Sequence, residues 1–263
     1  MTVTVLHFTD SACPWAYSAS PALAALRWRF GDQLDWQTRM IGLSSDLERY
    51  EKMGYTPLRS ATGRIDFRSR FGMPFTTEPR TRQMISVLGC RAVVATRLQS
   101  PDREYAVFRA LQFGWMTTTL LMDTEEGIRA ALADVPGIDV DALVGALDST
   151  AVVEAFEQDR ALARTAAGTP TEAMGRSATS DGAVRYTAPS LIFESDGRQL
   201  DAGGFQPLEA YDVCLANLAP GLERRPAATD AAEALTAFPD GLTTQEVAAA
   251  MAERLGRVDR VSA

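Results

Sequence analysis

Val3–Phe8 (VTVLHF) is a short β-rich run closed by the turn formers Thr9, Asp10 and Ser11, a pattern that predicts a strand followed by a loop. From Pro14 the period changes. Ala19, Leu23, Leu26 and Phe30 recur at helical spacing, with Gly31 as the stop. Partial alternation in LDWQTRMIGL (Leu34–Leu43) predicts a second strand, so the chain opens as a β-α-β unit. From about Ser45 to Gly168 the pattern is almost entirely helical. It predicts helices at Met84–Leu98, Arg103–Trp115, Thr124–Ala133, Val140–Leu147 and Val152–Ala166. Within that block, residues 54–80 carry Gly54, Pro57, Gly63, Gly72, Pro74 and Pro79 and read as irregular.

Strand character returns at PSLIFES (Pro189–Ser195). Asp196-Gly197 and RQLDAGG follow, and Asp-Gly between two such runs predicts a hairpin with a tight primed turn. A helix is predicted from Pro207 to Leu218. Beyond Leu222, ERRPAATD reads as a polar linker. Thr243 with Glu246 three residues on forms a capping box that opens a last helix, Glu246–Leu255. No internal repeat is present. Strands at both ends must pair across the helical block, because neither half buries its sheet faces alone. The expected fold class is therefore α/β. Residues 1–45 and 175–222 make one domain, 46–174 a helical insertion, and 223–263 a C-terminal linker and helical extension.

Composition narrows what such a fold does. The 263 residues are 46% hydrophobic, enough for one large core or a core with an appended helical unit. A net charge of -8 argues against nucleic acid or an anionic membrane as partner. No segment approaches the roughly 20 apolar residues of a membrane span. The first residues lack a basic region and a cleavage site, so a cytoplasmic location is expected. The three cysteines, Cys13, Cys90 and Cys214, form no CxxC and no metal-ligand spacing, and no metal site is expected. The single histidine, His7, lies inside the first strand and reads as a core or strand-face residue; with no other histidine, most His-dependent triads are removed, Cys13 with His7 being the one Cys–His option.

The chemistry concentrates in DSACPWAYSAS, Asp10 to Ser20. CPWA at 13–16 sits at the first strand–helix junction, Pro21 lies eight residues beyond Cys13, and TAPSLIF occupies 187–193. With the helical block between the two halves, these motifs resemble the DsbA-like branch of the thioredoxin superfamily. That branch includes disulfide oxidoreductases with a CPWC-type site and the 2-hydroxychromene-2-carboxylate isomerase group, related to kappa-class glutathione transferases. The resemblance covers roughly the first 220 residues. It implies a thioredoxin-like fold, a helix kink at Pro21, and a cis Ala188–Pro189 bond whose backbone, with Thr187, holds a thiol substrate. Taken alone, Pro189 fits equally a trans proline at the start of an edge strand. The chain departs from the redox branch at Ala16, where the second cysteine would stand, and in Thr169–Thr187, which reads as an extra loop.

With Cys13 at the helix N-cap and Pro14 first in the helix, the thiol faces unsatisfied N–H groups that favour an anion. Lacking a thiol beside it, Cys13 cannot store a local disulfide. It can attack an external disulfide and wait as a mixed disulfide for a second thiol. The expected activity is thiol–disulfide exchange through this one cysteine, with a low-molecular-weight thiol as co-substrate and no tightly bound cofactor. Pro14 and Trp15 contribute to substrate binding; Trp15 reads equally as a groove wall and as packing beneath the insertion. Cys90, next to small Gly89, is a candidate resolving thiol, although a buried helix cysteine is the simpler reading. Cys214 reads as core. Asp10 and Ser11 read as bonding to the loop backbone or capping the turn, with no catalytic role. The arginines of RIDFRSRF (Arg64–Phe71) and EPRTRQ (Glu78–Gln83) read as a solvated face, with recognition of an acidic thiol's carboxylates as the alternative. Two other functions compete: a thiol-dependent isomerase or transferase of the hydroxychromene or kappa type, and a non-catalytic binding protein. The partners expected are a small thiol or disulfide, with a homodimer compatible with the sequence.

Overall fold

A computed structural model of the chain describes residues 2–180 and 182–252. In order, the elements are β1 (Val3–Thr9), α1 (Pro14–Ser18), α2 (Ser20–Phe30), β2 (Leu34–Met40), α3 (Leu47–Lys52), α4 (Pro57–Phe71), α5 (Val87–Gln99), α6 (Glu104–Thr117), α7 (Glu125–Leu132), α8 (Val140–Gly145), α9 (Thr150–Ala163) and α10 (Pro170–Ala173). There follow β3 (Ser177–Ala178), β4 (Arg185–Tyr186), β5 (Ser190–Ser195), β6 (Arg198–Ala202), α11 (Leu208–Leu218), α12 (Ala231–Thr236) and α13 (Thr244–Ala250). They gather into two compact units.

The first unit comprises the described residues of Met1–Thr9, Ser18–Arg39 and Arg164–Ala263. Its four-stranded sheet has the order β2-β1-β5-β6, so the first strands do pair with the last. β1 runs antiparallel to β5, with Val5 opposite Phe193 and His7 opposite Leu191. The β5–β6 hairpin turns at Asp196 (φ 50°) and Gly197 (φ 72°), the two positive φ values that a primed two-residue turn demands. Apolar residues of β1 and β5 meet Leu23, Leu26 and Phe30 of α2 and Leu215 of α11 in one core. Pro21 stands at the start of α2, and the helix is broken at Ala19, where a prolyl nitrogen further on cannot complete the ladder. The C-terminal segment packs on the same unit. Trp28 lies among Ala228, Ala234, Val247 and Ala250, and its indole N–H donates to the Pro226 carbonyl at 2.8 Å. The Thr243/Glu246 capping box is present and opens α13. The predicted extension of that helix to Leu255 reaches residues 253–255, which lie outside the described residues.

The second unit, Asp10–Tyr17 with Met40–Ala163, is helical. Its core joins Tyr17, Val93, Val94, Leu111, Ile128 and Phe156, among others. A partly buried ion cluster joins α5, α6 and α9. Asp159 of α9 accepts from the Arg97 guanidinium of α5 at 2.9 and 3.1 Å and from the Met40 backbone N–H at 3.0 Å, while Arg97 also reaches Glu104 of α6 at 2.8 Å.

Two expectations are corrected. Residues 54–80 are irregular only in part: 72–80 form no helix or strand, while Pro57–Phe71 is filled by α4. Thr56 caps it by accepting from the Arg59 N–H, Pro57 occupies the first turn where its missing N–H costs nothing, and Gly72 ends it at φ 75°. Pro57 and Gly72 are thus the helix's boundaries and not breakers. Thr169–Thr187 is likewise more than an extra loop, holding α10 and the small antiparallel pair β3–β4.

Candidate active site

β1 ends at Thr9, and the next four residues build the cysteine loop on the buried carboxyl of Asp10. One of its oxygens, Oδ1, accepts from the Ala12 N–H at 2.9 Å, folding the loop into an Asx turn. The other, Oδ2, accepts from the Leu43 N–H at 2.7 Å, the Ser86 hydroxyl at 2.9 Å and the Cys90 thiol at 3.5 Å. The Asp10 carbonyl takes the Cys13 N–H at 3.1 Å. One side chain therefore binds its own loop, the segment after β2 and the start of α5. Burial raises the Asp10 pKa, opposed by these donors. The bond to its own loop is the one expected of Asp10 from the sequence; its three distant partners carry no local signal.

Cys13 follows as the N-cap of α1: its carbonyl accepts from Tyr17 N at 3.0 Å, and Pro14 is the first helical residue. The cysteine is 6% exposed and lines a cavity of about 670 Å³. Trp15, 41% exposed, lines the same cavity and stands edge-on against Phe67 (ring centroids 4.9 Å, 80°) and Phe71 (5.8 Å, 67°) of α4. Both readings of Trp15, wall and packing, therefore hold at once.

Cys90 sits in α5 with no exposed surface. Burial first, and then the neighbouring Asp10 charge, push its thiol well above the ordinary range. A resolving thiol must ionise and move; Cys90 is held protonated and tethered. Gly89 beside it allows the close approach expected, since a Cβ there would lie 2.9 Å from Ser11 Oγ. Cys214 is partly buried against the core of the sheet unit. His7 is buried in β1, edge-on to Trp36 at 6.1 Å, and burial with Arg27 lowers its pKa to about 3, so it is neutral. Thr187, Ala188 and Pro189 belong to the sheet unit, and the Ala188–Pro189 bond is cis. Thr187 Oγ1 donates to the Arg176 carbonyl at 3.0 Å, and the Thr187 carbonyl accepts from Ser190 Oγ at 2.7 Å.

The arginine-rich segments divide. Arg68 and Arg70 are exposed, as a solvated face requires. Arg64, from the same helix, lines the cavity with Arg59 and Arg80. Arg80 is buried. Its Nε donates to Leu120 O (3.0 Å), and its Nη2 lies against the carbonyls of Gly114 (3.4 Å), Trp115 and Thr118 (2.9 Å) at the end of α6. Burial and the nearby Arg64 lower its pKa to about 9. Among the described residues no cluster of three potential metal ligands occurs, and no helix is long and apolar enough to cross a membrane.

The sequence matches the DSBA-like thioredoxin domain over residues 4–188. No protein of curated function matches it. Among solved structures, one from Nitrosomonas europaea, described as a candidate protein disulfide isomerase, is similar with TM-score 0.63 at 17% identity, over 82% of this chain and 97% of that one. A probable DsbA oxidoreductase from Streptomyces coelicolor gives TM-score 0.56 at 17% identity, over 87% and 94%. The cytosolic disulfide reductase DsbM from Pseudomonas aeruginosa gives 0.52 at 18% identity, over 75% and 88%, and its structure with GSH gives 0.53 at 17% identity over the same shares.

Proposed function

The chain belongs to the DSBA-like thioredoxin family, and from that premise we propose that it is a thiol–disulfide oxidoreductase working through Cys13 alone, with a low-molecular-weight thiol as co-substrate. The observation that carries the proposal is the isolation of one sulfur. Cys13 lines a cavity at a helix start, Ala16 stands where a second cysteine would, and Cys90 is sealed and tethered to Asp10. The Cys13 thiolate attacks one sulfur of a disulfide R–S–S–R, the S–S bond breaks, and R–S⁻ leaves. A second external thiol then attacks the R sulfur, releases R–S–S–R′ and returns Cys13 as thiolate. The description of DsbM as a cytosolic disulfide reductase, and of its structure with GSH, supports the choice of a small thiol and a cytoplasmic setting.

Intact-mass analysis after exposure to oxidised glutathione tests the proposal. One glutathione adduct on the wild type, retained in Cys90→Ala and Cys214→Ala and absent in Cys13→Ala, is the expected result. An unreactive wild type, or an adduct that persists in Cys13→Ala, rejects it. The aromatic wall of the cavity, Trp15 and Phe67, favours one second reading: a thiol-dependent isomerase or transferase acting on an apolar electrophile. Glutathione-dependent turnover of an aromatic electrophile by a protein that forms no Cys13 adduct would select it.

A further inference from the structure

The cavity beside Cys13 has an unbalanced wall. Four arginines line it: Arg59, Arg64, Arg80 and Arg82. Arg82 is neutralised by Asp123, with N···O contacts of 2.6 and 2.7 Å. Arg59 lies across the Tyr55 ring and donates to the carbonyls of Met53 and Gly54. Arg64 has one long contact, 3.5 Å, to the Glu78 carbonyl. Arg80 spends Nε and Nη2 on the carbonyls at the end of α6, and its Nη1 has no acceptor among the described residues. Those carbonyls supply partial charges, which suit a cation at a helix C-terminus but do not neutralise it. Neither Arg64 nor Arg80 has a carboxylate partner among the described residues; both line the same cavity, and Arg64 contacts Glu78, two residues before Arg80. The acidic side chains on the cavity are Asp66, exposed on α4, and Asp10, already committed to four donors below Cys13.

Two partly desolvated cations side by side repel each other unless an anion lies between them. A guanidinium with an unused edge offers that anion a hydrogen-bonding fork. Resting on the function proposed above, we infer that the small disulfide or thiol exchanged at Cys13 carries a carboxylate, which Arg64 and Arg80 bind while Trp15 and Phe67 cover its apolar body. The wall selects the substrate by charge, and Cys13 carries out the exchange.

Three symmetric disulfides test this: 3,3′-dithiodipropionate (anionic), bis(2-hydroxyethyl) disulfide (neutral) and cystamine (cationic). The rate of adduct formation at Cys13 is read by intact mass. Each rate is divided by that of the same disulfide with free mercaptoethanol, which removes differences between leaving groups. The anionic compound is expected to lead the neutral one by about tenfold and the cationic one by more, and the lead should shrink in 0.5 M salt. Arg64→Gln should collapse the anionic-to-neutral ratio, and Arg68→Gln, exposed one turn further along α4 and off the cavity, should keep it. Equal normalised rates for all three disulfides, or a ratio unchanged by Arg64→Gln, overturns the inference while leaving the exchange function standing. Failure of every disulfide to form an adduct removes both.

Discussion

Two charged regions of the helical unit border the same cavity and are built in opposite ways. Beneath Cys13, the Asp10 carboxyl is fully buried and takes four donors from three segments of chain. On the wall formed by α4 and the end of α6, Arg64 and Arg80 stand without a carboxylate. A buried carboxyl surrounded by its partners fixes geometry, because removing it strands each of them. A guanidinium without a carboxylate leaves interaction energy for whatever enters, and Arg64, with one long contact, adds little to the fold, whereas Arg80 also closes the end of α6. The contrast separates the groups that hold the cysteine loop from those that read the substrate.

The largest effect should come from the floor. Asp10→Ala leaves two backbone N–H groups and the Ser86 hydroxyl without their acceptor, and should lower unfolding free energy by about 3 kcal/mol or more in urea titration. A loss below about 1 kcal/mol would mean that the floor does not hold the loop. Within the wall, the two arginines should differ. Arg80→Gln removes a donor set that closes the end of α6 and should cost about 2 kcal/mol, while Arg64→Gln should cost less than about 0.5 kcal/mol. Equal losses would erase the distinction between a structural and a ligand-facing guanidinium.

The finest test is pH. With the Asp10 pKa raised above 3.8, the folded state holds this proton more tightly than the unfolded chain. Its contribution is complete below pH 3.8 and is lost as pH rises through the folded pKa. The stability of the wild type relative to Asp10→Asn should therefore fall on going from acid toward neutrality; a rising difference would show that the four donors outweigh burial. His7 acts in the opposite sense. Its pKa is lowered from 6.5 to about 3, so its contribution is present above pH 6.5 and lost as pH falls toward 3. Because both proteins retain His7, the subtraction removes its contribution.

The strand-loop-helix opening, the Asp-Gly hairpin and most of the helical block were legible because their signals are local: period, caps and turn residues. α4 was misread for a related reason. Pro57 and Gly72 are a start signal and a stop signal fifteen residues apart, and beside Gly63 they look like a run of breakers. Cys13 and Pro14 could be placed at the N-cap and first helical position from the sequence, since the geometry there is set by neighbours. Asp10 could not be given its full role, because its Oδ2 donors lie 33, 76 and 80 residues along the chain. Nor could Arg64 be told from Arg68: one helix turn decides which guanidinium faces the cavity and which faces water.

The half-exposed indole of Trp15 has an optical consequence. Of the four tryptophans, Trp28 and Trp115 are buried, Trp36 is intermediate, and Trp15 alone is exposed, two residues from Cys13. Its fluorescence carries the water-exposed, red part of the protein's emission. An occupant of the cavity displaces that water, so the chain carries its own spectroscopic reporter of whether the space beside Cys13 is filled.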